Sequence, residues 1–185
     1  MIVLSFSLPV LSPFFGNSAP HQPDHAEPAP LPDFVLPTAD GQDIRLAERA
    51  ASYSNVILVF HRGYDCQACR AQLAELQSGY KDLRIEGVEI LAIGLDDQLN
   101  TQRLAQQMGL RFPMLYDKSG VVASTYGVRE QLTIDLTTAF LILDRELKLI
   151  TTPIGTVADQ LVPVEAILDV IRTANGSGGT SGTAS

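Results

Sequence analysis

The chain has two cysteines, Cys66 and Cys69, in the run Phe60-His61-Arg62-Gly63-Tyr64-Asp65-Cys66-Gln67-Ala68-Cys69-Arg70. Where such a run opens a helix, the two thiols stand one turn apart and can close a disulfide. A thiol at a helix N-terminus also meets the positive end of the backbone dipole, which favours thiolate over thiol. The thiolate is the nucleophile of sulfur exchange, so the pair is equipped for redox chemistry. Inert core cysteines have no reason to take this spacing at a helix start. Structural zinc needs four ligands, usually Cys and His. The remaining histidines are His61 and two residues of the N-terminal stretch, His21 and His25. No metal and no cofactor is therefore expected.

Other polar residues flank the pair. An imidazole at His61 can take a thiol proton. Strand alternation instead favours a packed strand-end residue at that position. Asp65 next to Cys66 is expected to cap the helix, and Tyr64 to shield the loop.

The bulk of the chain must hold this run in place. Its 185 residues are 45% hydrophobic and 18% charged, which suits one domain with tails. Residues 1–31 read as an apolar N-terminus followed by a Pro-rich linker, 32–173 as the domain, and 174–185 as a flexible Gly/Ser/Thr tail. Met1 to Phe15 resembles a signal-peptide core, but no Lys or Arg precedes it and Pro9 and Pro13 interrupt it. It is too short and broken to span a bilayer as a helix. A cytoplasmic protein is expected, or an exported one if this stretch acts as an atypical signal. The formal net charge of −8 argues against nucleic acid and anionic membranes as partners.

Within the domain the hydrophobic period switches repeatedly. Val56 to Phe60 is a continuous apolar run, the mark of a strand covered on both faces. Cys69, Leu73, Leu76, Tyr80 and Leu83 then recur at helical spacing. Val88 to Ile93 reads as a second buried strand. Asp96 and Asp97 are expected to cap the next helix, which runs to about Met108 and stops at Gly109. Phe112 to Tyr116 reads as a strand, and a short helix ends near Tyr126-Gly127. Ala139 to Leu143 and Leu147 to Thr151 are expected to form a hairpin. A last helix starts near Pro163 and buries Ile167, Leu168 and Ile171. The order β-α-β-α-β-α-β-β-α implies a largely parallel sheet with helices on both faces and an antiparallel edge. With Cys-x-x-Cys after a buried strand, it points to a thioredoxin-like α/β fold: three layers around a mixed central sheet.

In its ordered landmarks the chain resembles the redoxin group of alkyl hydroperoxide reductase and thiol-specific antioxidant (peroxiredoxin-like) proteins. Pro32-Asp33-Phe34-Val35-Leu36-Pro37, then Asp40-Gly41 and Ile44-Arg45-Leu46, looks like that family's N-terminal β-hairpin. Val59 to Leu73 looks like its active-site strand, loop and helix. Phe112 to Asp117, Tyr126-Gly127-Val128 and Ala139 to Asp144 match later landmarks. The family's peroxidase signature is Pro-x-x-x-Thr-x-x-Cys. Laid on this chain it places Cys69 at the peroxidatic position, Cys66 where Thr should be and Arg62 where Pro should be. The family's peroxide-polarising Arg falls at Thr137. The loop, Arg-Gly-x-x-Cys-x-x-Cys, thus stands partway toward thioredoxin. Thioredoxin-like folds usually carry a cis-proline facing the cysteines; here the run is Leu136-Thr137-Thr138-Ala139.

Peroxide reduction also needs groups that stabilise charge on the leaving oxygen. Arg62 and Arg70 are the candidate cations. Arg62 is preferred because it precedes the loop and can fold back over it. Two assignments of the thiols stay open. By the signature, Cys69 attacks peroxide to give a sulfenic acid that Cys66 resolves. By analogy with thioredoxin, Cys66 attacks and Cys69 resolves. Either cycle ends in a Cys66–Cys69 disulfide that an external thiol, such as a thioredoxin, must reduce. The resemblance implies first a thiol peroxidase acting on hydrogen peroxide or organic hydroperoxides, as monomer or homodimer. It implies second a thiol-disulfide oxidoreductase acting on protein disulfides.

Overall fold

The computed structural model describes residues 29–157 and 160–177. The apolar N-terminus and the Gly/Ser/Thr end of the chain lie outside them. The chain begins with a hairpin, β1 (Val35–Pro37) and β2 (Asp43–Arg45), and a short helix α1 (Leu46–Ser52). Then come β3 (Asn55–His61), α2 (Gln67–Ser78), α3 (Tyr80–Ile85), β4 (Val88–Gly94), α4 (Gln98–Met108) and β5 (Met114–Tyr116). They are followed by α5 (Val121–Thr125), α6 (Arg129–Ile134), β6 (Thr138–Leu143), β7 (Ile154–Thr156) and α7 (Val164–Ser177). The central sheet has the order β5-β4-β3-β6-β7. Its strands β3, β4 and β5 are parallel, and β6 runs antiparallel to both β3 and β7. This is the thioredoxin-like three-layer fold with a mixed sheet and an N-terminal β-hairpin.

Alternation along β3 builds both layers. Val56, Leu58 and Phe60 face a cluster with Leu46 and Ala50 of α1, Ala123 of α5 and Leu132 of α6. Ile57 and Val59 face the other cluster, with Leu73 and Leu76 of α2, Leu104 of α4, and Ile167 and Ile171 of α7. Both faces are covered, which is why β3 reads as a continuous apolar run rather than an alternating one. His61, the last residue of β3, falls on the α2 side by the same alternation.

Three expectations need correction. The long helical stripe after Cys69 is two helices, broken at Gly79, whose Cβ would stand 2.5 Å from Cγ1 of Val164. A helix running straight through with a side chain there would collide with α7. The antiparallel partner of β6 is not Leu147 to Thr151 but β7, paired at Thr138↔Thr156 and Phe140↔Ile154. Leu149 only bridges Leu143, and Ile150 donates to the Ile142 carbonyl at 3.0 Å. Pro153 then intervenes; it has no N–H to offer a ladder, so regular pairing resumes after it. At the C-terminal end α7 continues through Ser177, past the boundary expected at 173. Helices α1 and α6 were not anticipated; at 7 and 6 residues they are too short to show a period.

Candidate active site

β3 delivers the chain to the C-terminal edge of the sheet, and Arg62 to Asp65 turn it into α2. Cys66 is the N-cap residue of α2, and its sulfur accepts the Cys69 N–H at 3.1 Å. Ser, Thr, Asp or Asn usually fills that role. Asp65, the expected cap, is instead exposed. The two cysteines form a disulfide with a Cα–Cα distance of 5.2 Å.

The two sulfurs have unlike surroundings. Cys66 is half-buried at the helix mouth, where free N–H groups and the dipole stabilise a thiolate. Cys69 is 0% exposed. Its sulfur lies 3.1 Å from the Thr137 carbonyl oxygen. A disulfide sulfur carries no proton, but once reduced the Cys69 S–H can donate to that oxygen. Burial and a fixed acceptor both favour the thiol over the thiolate. The arrangement therefore separates an outer sulfur at the helix mouth from a fully buried inner one.

Thr137 is held firmly. Its N–H donates to the Thr156 carbonyl at 2.7 Å, and its hydroxyl lies 3.1 Å from the Thr156 hydroxyl. The Thr138 hydroxyl is 2.5 Å from the same Thr156 oxygen. All three threonines are buried. Every peptide bond of the described residues is trans, so this segment faces the cysteines without a cis-proline.

His61 pairs with Gly94 on one side and Thr138 on the other. A Cβ at Gly94 would stand 2.8 Å from the imidazole Cε1, so the missing side chain makes the space the ring fills. His61 is 1% exposed, and neither ring nitrogen has a hydrogen-bond partner. Burial lowers its pKa to about 4, against a smaller opposing pull from Asp96. The imidazole is neutral at ordinary pH, and its packing bears out the strand-end reading.

Arg62 is exposed and makes no ion pair or hydrogen bond among the described residues. Arg70 is committed to a side wall of the loop: its guanidinium lies 5.4 Å from the Tyr64 ring centroid and donates to Gln107 Oε1 at 3.3 Å. The Tyr64 hydroxyl donates to the same oxygen at 3.1 Å. Sequence reasoning missed Gln72, Thr156 and the loop contact of Asp96. Gln72 is buried and exchanges two hydrogen bonds with the Val162 backbone, at 2.9 and 2.8 Å, fixing α2 to the segment before α7. Its place one turn after Cys69 on the apolar stripe was the available signal. Among the described residues no group of three or more His, Cys, Asp or Glu side chains converges as a metal site requires.

The sequence model of the AhpC/TSA family matches residues 28–150. The chain belongs to that family. Thiol-disulfide oxidoreductase ResA of Geobacillus thermodenitrificans is 34% identical over 98 residues, 52% of this chain and 55% of that protein. ResA of Bacillus anthracis is 31% identical over 125 residues, 67% of each. The chain thus spans about half the length of the first of these relatives. Among solved structures, peroxidoxin BcpB of Mycobacterium tuberculosis superposes with a TM-score of 0.66 at 20% identity, over 81% of this chain and 96% of that one. A putative thiol:disulfide interchange protein DsbE of Chlorobium tepidum gives 0.64 at 21%, over 80% and 96%. At these identities the structures share the redoxin fold.

Proposed function

We propose that this AhpC/TSA-family chain is a thiol-disulfide oxidoreductase that reduces protein disulfides, with Cys66 as the attacking thiol and Cys69 as the resolving one. The observation that carries the reading is the asymmetry of the pair: Cys66 caps α2 with its sulfur at the mouth of the loop, while Cys69 is fully buried against the Thr137 carbonyl. An incoming disulfide reaches the outer sulfur first. The Cys66 thiolate attacks one sulfur of the substrate, which releases the other as a thiolate and leaves a mixed disulfide. Cys69 gives its proton to the released substrate thiolate and attacks the Cys66 sulfur. The Cys66–Cys69 bond forms, the second substrate thiol departs, and two electrons have passed to the substrate. An external dithiol reverses these steps on the oxidised chain. Arg62, an exposed cation beside the loop with no partner among the described residues, steadies the thiolate at Cys66.

The ResA relatives, named for thiol-disulfide exchange, support this reading over peroxide reduction, which stood first on sequence grounds. The residues also favour it. Cys66 occupies the place of the peroxidase Thr, and Thr137, turned into the sheet by its bonds to Thr156, occupies the place of the peroxidase Arg. The two groups that would polarise a bound peroxide are thus replaced. The test is reduction of insulin by the full chain with a supplied dithiol. Turnover above the dithiol background is expected; none would reject the reading.

A further inference from the structure

Asp96 stands just after β4 and just before the N-cap of α4. The cap itself is Asp97, whose carboxylate accepts the Asn100 N–H. Asp96 is thereby left to do something else. Its Oδ2 accepts the Tyr64 N–H at 2.6 Å, across to the loop that carries Cys66. Its other oxygen accepts from the Asn100 side chain at 3.1 Å, which fixes the carboxylate's orientation. The chain must come very close for this. Gly63 has φ +121, and a Cβ there would lie 2.6 Å from Asp96 Oδ2. Only glycine fits this backbone conformation and this approach together.

The contact falls on one particular peptide unit. The N–H given to Asp96 belongs to the Gly63–Tyr64 peptide, and the carbonyl of that same peptide accepts the Cys66 N–H at 3.3 Å. The plane is clamped at both ends, by a carboxylate on one side and by the nucleophile's own backbone on the other. Cys66 in turn keeps its sulfur over the first turn of α2.

We infer that Asp96 is a positioning residue: by orienting the Gly63–Tyr64 peptide it holds Cys66 at the N-terminus of α2, where the thiolate is stabilised. The inference deepens the thiol-disulfide reading and rests on it for its biological meaning, but it can be tested without any substrate. A carboxylate near a thiolate works against ionisation by charge alone, so positioning and charge act in opposite directions, and two variants separate them. Asp96→Asn keeps an oxygen that can accept the Tyr64 N–H but removes the charge. Asp96→Ala removes both.

The experiment measures iodoacetamide alkylation of Cys66 against pH in the full reduced chain carrying Cys69→Ser, so that one thiol is read. Asp96→Ala is expected to slow alkylation at pH 6 about tenfold, the effect of raising the thiol pKa by about one. The rates should converge at high pH, where the thiol is fully ionised. Asp96→Asn is expected to react at least half as fast as the parent. A purely structural role would lower the melting temperature and leave the pH profile in place. Parent-like alkylation by a folded Asp96→Ala protein overturns the inference. So does equal slowing by both variants. Should Asp96→Ala fail to fold, amide hydrogen exchange in the unmodified chain decides: protection at Tyr64 is expected, and free exchange there overturns it. Failure of insulin reduction by the parent would reject the thiol-disulfide reading while leaving these outcomes legible.

Discussion

The backbone carbonyl oxygen of Thr137 lies 3.1 Å from the sulfur of the fully buried Cys69. A cation there would favour a thiolate. A carbonyl favours a thiol. On the proposed reading, this burial against a backbone carbonyl makes Cys69 the inner, resolving partner and Cys66 the attacking one.

The first consequence concerns the single-cysteine variants. With Cys69→Ser, Cys66 still attacks but nothing resolves the adduct, so a mixed disulfide with a peptide substrate should accumulate. With Cys66→Ser, the buried Cys69 should form little adduct under the same conditions. Mass spectrometry of the quenched reaction reads both. Adduct on Cys69 in preference to Cys66 would reverse the assignment.

The Thr137 carbonyl keeps its place through Thr156. Thr156→Val removes the hydroxyl that both Thr137 and Thr138 contact. Thr137 keeps the Thr156 carbonyl, but leaving the buried Thr138 hydroxyl without its partner should cost about 1–3 kcal/mol of stability, read as a lower urea midpoint. Resolution of the mixed disulfide should change little, because the Thr137 N–H keeps its bond to the Thr156 backbone carbonyl.

His61 sets an acid limit on stability. Its pKa is about 4 in the folded chain, below its unfolded value of about 6.5. The unfolded state therefore binds the proton first as pH falls. The stability that comes from keeping His61 neutral is complete above pH 6.5 and is lost as pH drops toward 4. Between pH 7 and pH 5 the loss should be about 2 kcal/mol. Urea midpoints at the two pH values measure it, and His61→Phe should flatten the difference. An unchanged slope in that variant would assign the acid sensitivity to other groups.

Arg62 is exposed and unpaired among the described residues, so Arg62→Ala should leave stability within about 0.5 kcal/mol. If its guanidinium steadies the Cys66 thiolate through solvent, alkylation at pH 6 should slow about twofold to fourfold at low salt, with the gap closing in about 1 M salt. Equal rates at low salt would remove Arg62 from the site.

The parts of the fold that were legible in the sequence are those with a long, uniform physical signal. β3 and β4 are buried on both faces and read as unbroken apolar runs. α4 carries a cap at Asp97 and a left-handed stop at Gly109, and both stand where the sequence put them. The parts that were not legible depend on contacts distant in the chain. The break at Gly79 comes from Val164, 85 residues further on. The pair Cys66 and Cys69 was evident from spacing. That Cys69 opens the apolar stripe, and so is the inner thiol, was evident too; the carbonyl it faces was not, because that group lies 68 residues away. Asp96 was hidden for a similar reason. Beside Asp97 it looked like a second cap, and only the return of the loop shows that it serves Tyr64.

The most direct test of Cys66 as a disulfide-attacking thiol is stopped-flow mixing of the reduced chain with a peptide disulfide and, separately, with hydrogen peroxide. The expected result is disulfide exchange well above that of a free thiol of the same thiolate fraction, with peroxide reacting no faster than such a thiol. Rapid peroxide reduction that survives Cys66→Ser and vanishes with Cys69→Ser would contradict it.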